Sequence, residues 1–128
     1  MFSIKRSKIA RFGMFAERDI KKGEFITEYK GEKLPNKIVD NEEAFFNKRY
    51  LFKLNKTYTL DGNIEDNPAK YINHSCKPNS KAYVTGRRVL IYSIKRIKEG
   101  EEITYHYGKN YFNRFLKGKC KCEKCSNS

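Results

Sequence analysis

Residues Tyr71–Ser80 read "YINHSCKPNS". An Asn, a His and a Cys fall within one turn's length, with aromatic and β-branched residues before them and a Pro after. A lone His is commonly structural, and an Asn ahead of a turn commonly caps it. The stretch also holds Cys76, one of four cysteines in the chain. The other three, Cys120, Cys122 and Cys125, form "CKCEKC" near the C-terminus. Thiols this close together make awkward disulfide partners, and a reducing compartment would keep them free. Zinc favours four N or S ligands in a tetrahedron, and structural sites are often closed by Cys alone. Three tail thiols need a fourth ligand, and Cys76 is the only other cysteine. A fold that carries the tail to Tyr71–Ser80 would complete the set. The alternative is a buried Cys76 acting as a small hydrophobe beside an unmetallated tail.

The rest of the chain frames this stretch. Its 128 residues suit one domain with a modest core. Aromatics reach 14%, which argues against disorder. No apolar run approaches a membrane span and no signal-peptide pattern opens the chain, so the sequence reads as soluble, intracellular and without membrane contact. Lys and Arg outnumber Asp and Glu by 28 to 15, a net charge of +13 that favours polyanionic partners or a plain solvated basic surface.

Short alternating segments dominate, so the class is mostly β. Strands are expected at "FSIKRSKI", at Glu24–Lys30, in "YLFKL" and in "TYTLD" across the turn Asn55-Lys56. Asn63–Asn67 reads as a polar loop, and "KAYVTGRRVLIYSI" as a hairpin about Thr85-Gly86. One helix is expected from Pro35 through Lys48. "DIKKGEFIT" (Asp19–Thr27) echoes "RIKEGEEIT" (Arg96–Thr104), which reads as one turn design used twice.

Three separated segments, "FGMFAERDIKKGEFITEYKGE", "YLFKLNKTYTLDGNIEDNPAKYINHSCKPN" and "GEEITYHYG", resemble the SET-domain family of protein lysine methyltransferases. The resemblance runs in family order from about Lys8 to Cys125. It implies a SET fold of several small β-sheets around a pseudo-knot, with one short helix. The SET domain would occupy residues 1–116 and a zinc-binding post-SET tail residues 117–128. In that fold the "NHSC" turn and the "YHYG" segment lie together.

The same resemblance implies S-adenosylmethionine as methyl donor, contacted by Asn73, His74, Tyr50 and the loop Ala10, Arg11, Phe12 and Gly13. Tyr107 would be the catalytic tyrosine, with Tyr105 and Tyr50 walling the target-lysine channel. Cys76, Cys120, Cys122 and Cys125 would hold structural zinc. Arg11 departs from the pattern: it stands where a first glycine is usual, so the loop is either regular there or binds the donor less well. The tail's second gap is also short, and Phe112, Phe115 or Leu116 would have to cover the donor.

A lysine methyltransferase of a histone or another protein is therefore expected, adding one or two methyl groups because Tyr105 carries a hydroxyl. The alternatives are a catalytically weak SET-like module on nucleic acid or nucleoprotein, and a small zinc-stabilised nucleic-acid binder. The compartment would be cytoplasmic in a bacterium and nuclear or chromosomal in a eukaryote. Tyr58, Tyr71, Tyr83 and Tyr92 are expected to be ordinary strand-packing residues.

Overall fold

A computed structural model describes residues 1–36 and 51–108, with the Leu51 side chain excepted. The described residues are mostly β, as expected, in three small sheets. The first holds β1 (Phe2–Arg6), β2 (Phe12–Ala16), β7 (Asn73–His74) and β10 (Glu102–Tyr105), in the order β1-β2-β10-β7. The second holds β3 (Phe25–Tyr29), β8 (Ser80–Thr85) and β9 (Arg88–Ser93), in the order β3-β9-β8. The third holds β4 (Glu32–Pro35), β5 (Leu51–Lys53) and β6 (Tyr58–Asp61), in the order β4-β6-β5. Every pairing is antiparallel except that of β10 with β7.

The sheets form where alternation supplies an inner face. In β9, Val89, Ile91 and Ser93 are buried while Arg88, Leu90 and Tyr92 face outward. Met14, Ile103 and Ile91 from the first two sheets and Ile72, just after a 3-10 helix (Pro68–Tyr71), meet in one core with Leu60 of the third. Among the described residues no helix is long and apolar enough to cross a membrane.

The two echoing segments pair with each other. Ile20 and Ile97 form an antiparallel bridge with N–H···O distances of 2.8 and 2.9 Å, and both side chains are 0% exposed. Each bridge residue leads into a four-residue turn with glycine third, Gly23 at φ 83° and Gly100 at φ 87°. A type II turn requires a positive φ at that place. Each turn's closing Glu reaches back to its first Lys: Lys21 N–H donates to Glu24 and Lys98 N–H to Glu101. Asp19 ties the copies together, accepting from the Glu99 N–H at 2.9 Å and from Arg96 at 2.8 Å. These two donors hold the Asp19 carboxyl below its ordinary pKa, the backbone bond most.

Three expectations need correction. Pro35 does not begin the helix; it ends β4, opposite Tyr58. β4 is an edge strand of its sheet, where a missing N–H is tolerated. Asn36 is the first helical residue, and the remainder of the expected helix lies outside the described residues. The hairpin turn is Gly86-Arg87, one residue later than expected, because Thr85 pairs with Arg88; Gly86 has φ 62°. Tyr71 is not in a strand but ends a 3-10 helix, Pro68–Tyr71. Asn67, just before that helix, is buried and braces its loop by donating to Gly62 O and accepting from Lys30 N–H.

The Ile20–Ile97 bridge makes a direct prediction. Ile97→Ala should cost about 2–5 kcal/mol, as expected for a cavity in a packed core. Urea unfolding followed by circular dichroism measures this, and a loss under about 1 kcal/mol would mean the bridge region is loosely packed.

Candidate active site

β7 and β10 lie side by side in parallel, Asn73 opposite Thr104 and Tyr105 opposite His74. Ser75 N–H extends the pairing to Tyr105 O at 3.2 Å. Buried Asn79 clamps the other end: its Oδ1 accepts from Thr104 N–H at 2.9 Å and its Nδ2 donates to Glu102 O at 2.8 Å. The "NHSC" and "YHYG" segments thus meet as expected.

On one side of this ladder lies the loop before β2. The Asn73 amide donates to Phe12 O at 2.7 Å, to Glu102 Oε2 at 2.8 Å and to Ser7 Oγ at 3.3 Å. Ser7 in turn donates to Glu102 Oε1 at 2.6 Å and accepts from Ile9 N–H at 3.0 Å. Glu102 therefore fastens both ends of the loop. Gly13 is required here for space: a Cβ on it would run into the Glu102 carboxylate and crowd the Asn73 amide. Arg11 does not need glycine's freedom, since among the described residues no side-chain-bearing residue has positive φ. Its guanidinium lies 5.3 Å from the Phe12 ring centroid. The loop is regular at this departure from the expected pattern.

On the other side stands a run of rings. Tyr29 and Phe52 are 5.3 Å apart, Phe52 and Tyr105 6.3 Å, Tyr105 and Tyr107 5.0 Å, and Tyr107 and His74 5.4 Å. Phe52, Ala82, Ile94, Tyr105 and Tyr107 help line a cavity of about 340 Å³. Strand alternation separates the two sides: Glu102 and Tyr105 sit an odd number of residues apart on β10 and so face opposite ways. The Tyr107 hydroxyl donates to Ile72 O, and its N–H donates to His74 Nδ1 at 3.0 Å.

His74 is 3% exposed. Burial, with some repulsion from His106, pushes its pKa down to about 4, so the ring is neutral at pH 7. Because Nδ1 accepts from Tyr107, the proton sits on Nε2, which lies 3.3 Å from Cys76 Sγ. His106 is arranged alike: its Nδ1 accepts from Gly108 N–H at 2.9 Å, and its ring meets His74 edge-on at 4.5 Å. Ligand atoms of His74, Cys76 and His106 lie within 4.8 Å of one another, which is close enough to hold a metal. The tautomers favour a different use. With Nε2 protonated, the His74 ring is an N–H donor toward the Cys76 sulfur.

Several expected residues are therefore brought together: the loop Ala10–Gly13, Asn73, His74, Cys76, Tyr105 and Tyr107. Tyr50 and the tail thiols Cys120, Cys122 and Cys125 lie outside the described residues, as do Phe112, Phe115 and Leu116. Ser7, Phe52, Asn79, Glu102 and His106 belong to the site although the motif reading passed over them. The one signal for Asn79 and Glu102 was their place within the quoted segments.

A family profile described as "SET domain" matches residues 11–108. The chain belongs to the SET-domain family. Its relatives include trithorax of Drosophila virilis, named as a histone-lysine N-methyltransferase, at 31% identity over 128 residues and 94% of this chain. Histone-lysine N-methyltransferase 2D of Homo sapiens is 33% identical over 91% of this chain. The variant-silencing SET domain-containing protein of Plasmodium falciparum is 36% identical over 97%. The chain spans only 3%, 2% and 5% of these three proteins respectively. What it shares with them is the SET domain itself.

The lock on the loop of this SET domain can be tested. Glu102→Gln turns an acceptor-only carboxylate into an amide facing two donors, Ser7 and Asn73. It should cost about 1–3 kcal/mol and speed hydrogen exchange at residues 8–13. Gly13→Ala should do the same by crowding. Unchanged exchange in both variants would mean that the network does not hold the loop.

Proposed function

We propose that the chain is a protein-lysine N-methyltransferase that uses S-adenosylmethionine. The observation that carries the proposal is the two-sided ladder: a glycine-containing loop braced on Asn73 and Glu102 on one side, and an aromatic cavity ending at Tyr107 on the other. The loop side suits the donor. Gly13 permits close main-chain approach, and Asn73 Oδ1 has no partner among the described residues, so it is available to accept from an ammonium group. When bound, S-adenosylmethionine supplies an electrophilic methyl group on a sulfonium.

The cavity side suits the acceptor. Phe52, Tyr105 and Tyr107 would hold the aliphatic stem of a lysine and exclude water. A dry apolar wall disfavours the ammonium form, so the amine enters neutral with its lone pair available. Phe52, Tyr105 and Tyr107 would aim that lone pair at the methyl group the donor supplies when bound against Asn73 and the Gly13 loop. No covalent enzyme intermediate is needed, and alignment provides much of the rate. Tyr107 is held at two points, by Ile72 O and by His74 Nδ1, which suits a positioner. His74 uses both ring nitrogens within the protein, so besides the contact with the donor that the resemblance implies it would orient Tyr107 and the ladder.

Cys76, with Cys120, Cys122 and Cys125, would hold a structural zinc that ties the tail to the site; thiolate is a natural zinc ligand. Elemental analysis of protein purified without chelator should find a single zinc per chain, loosened by Cys76→Ser. Its absence would remove zinc from the account and leave the methyl chemistry standing.

The substrate is proposed to be a lysine on a histone or another protein, in keeping with the names of the relatives. A chain of net charge +13 gains nothing electrostatically from a bare basic tail, so a nucleoprotein fits better than an isolated tail. In a eukaryote the setting would be chromosomal, and in a bacterium cytoplasmic. Tyr105 is buried between Phe52 and Tyr107, and its hydroxyl there would hold the amine or a water and limit the turning of a methylated amine. One or two methyl groups are the expected product. Intact-mass analysis of a methylated peptide decides this. Tyr105→Phe should shift the product upward, and Tyr107→Phe should lower turnover roughly a hundredfold. Efficient trimethylation by the unaltered enzyme would contradict the assignment of Tyr105, and full activity in Tyr107→Phe that of Tyr107.

A further inference from the structure

The outer face of the β3-β9-β8 sheet is not used by the site described above. Phe25 and Tyr83 are exposed there, at 43% and 42%. Phe25 stands opposite Tyr92 across one strand pair, with ring centroids 5.4 Å apart. Tyr83 lies diagonally across the other pair, 5.8 Å from Tyr92. The three rings cross all three strands in a row. Lys81, opposite Tyr92, places its ammonium 5.4 Å from the Tyr83 ring centroid.

Positive charge edges this row. Lys21 and Lys22 are exposed in the turn before Phe25, Lys95 just after β9, and Arg87 at the tip of the β8-β9 hairpin. The two acidic residues nearby are already paired, Glu24 with Arg18 at 2.5 Å and Glu28 with Arg88 at 2.8 Å. What remains is a strip of three edge-to-face rings, at 69° and 80° to one another, with a surplus of cations at its margins, on a chain of net charge +13.

We propose that this face binds single-stranded nucleic acid, with bases stacking on Phe25, Tyr83 and Tyr92 and phosphates held by the surrounding lysines and Arg87. Rings on an open sheet give sequence-tolerant stacking surfaces, and cations beside them track the phosphate backbone. A duplex keeps its bases stacked on each other, so it can meet the cations but not the rings. An acidic peptide likewise would use the charges and leave the rings without partners. The face adjoins the aromatic cavity through Lys81, which borders both. A nucleic-acid strand lying here would therefore lie beside that cavity, and a nucleoprotein could present its lysine while its nucleic acid is held. The binding itself does not depend on the methyl-transfer reading.

Fluorescence anisotropy of the full chain with a short fluorescein-labelled oligothymidylate tests this. Affinity should fall with salt, in proportion to the phosphates contacted. Tyr83→Ala and Phe25→Ala should each weaken binding roughly five- to a hundredfold, the range for loss of one stacked base. Tyr83→Phe keeps the ring and should bind nearly as the unaltered chain does. Lys5→Ala, which removes a charge from β1 of the first sheet, should matter less than either ring. The melting temperature of the exposed-ring variants should be unchanged, which separates lost binding from lost fold. Four results would overturn the proposal: no binding, loss no greater for the rings than for Lys5, equal affinity for a duplex of the same length, or equal affinity for an oligoglutamate peptide.

Discussion

The site depends on a parallel ladder only two residues long. Asn73 and His74 meet Thr104 and Tyr105 from segments far apart in the chain, and closing such a loop is costly in entropy. The main-chain bonds of so short a ladder cannot stand alone. Asn79 fastens it from one end through Thr104 and Glu102, and Ser75 continues it at the other. Tyr107 then folds back, giving its N–H to His74 and its hydroxyl to Ile72 O. The bonds through Asn79 and His74 lie among buried groups, where an unmet partner would cost about 1–3 kcal/mol. Losing one partner would therefore leave a buried group of the ladder unmatched.

From this ladder the chemistry divides into two sides. Glu102 looks toward Ser7, Asn73 and the loop before β2, while Tyr105 looks toward Phe52 and the cavity. One short strand thus carries both a loop fastener and part of the cavity wall. The paired turns at Gly23 and Gly100 set where β10 begins: Gly100 N–H bonds to Ala16 O, and Ala16 N–H to Glu101 O. The repeated turn is therefore part of how the site is placed, because it fixes the register of β10 against β2.

Much of this was legible in the residues. The strands at Phe25–Tyr29 and Tyr58–Asp61 follow from β-branched and aromatic alternation, and the turn at Asn55 from a side chain that accepts two following N–H groups. The meeting of "NHSC" with "YHYG" came from resemblance alone, since no local pattern foretells a parallel contact between distant segments. β4 was missed because "EKLP" is short, charged and ends in Pro, and only its partner β6 makes it a strand. The roles of Asn79 and Glu102 could not be read either. A polar side chain that bonds a remote backbone looks the same in sequence as one in solvent. His106 carries no signal of its own; its relation to His74 and Cys76 exists only after the ladder has formed.

The central claim is that the ladder joins three distant segments into one donor-binding unit. Hydrogen-exchange mass spectrometry with and without S-adenosylmethionine measures this directly. The account predicts that added donor slows exchange together at residues 8–13, 72–76 and 103–108, with little change in the β8-β9 hairpin tip. Protection in none of these segments, or in one without the others, would contradict it.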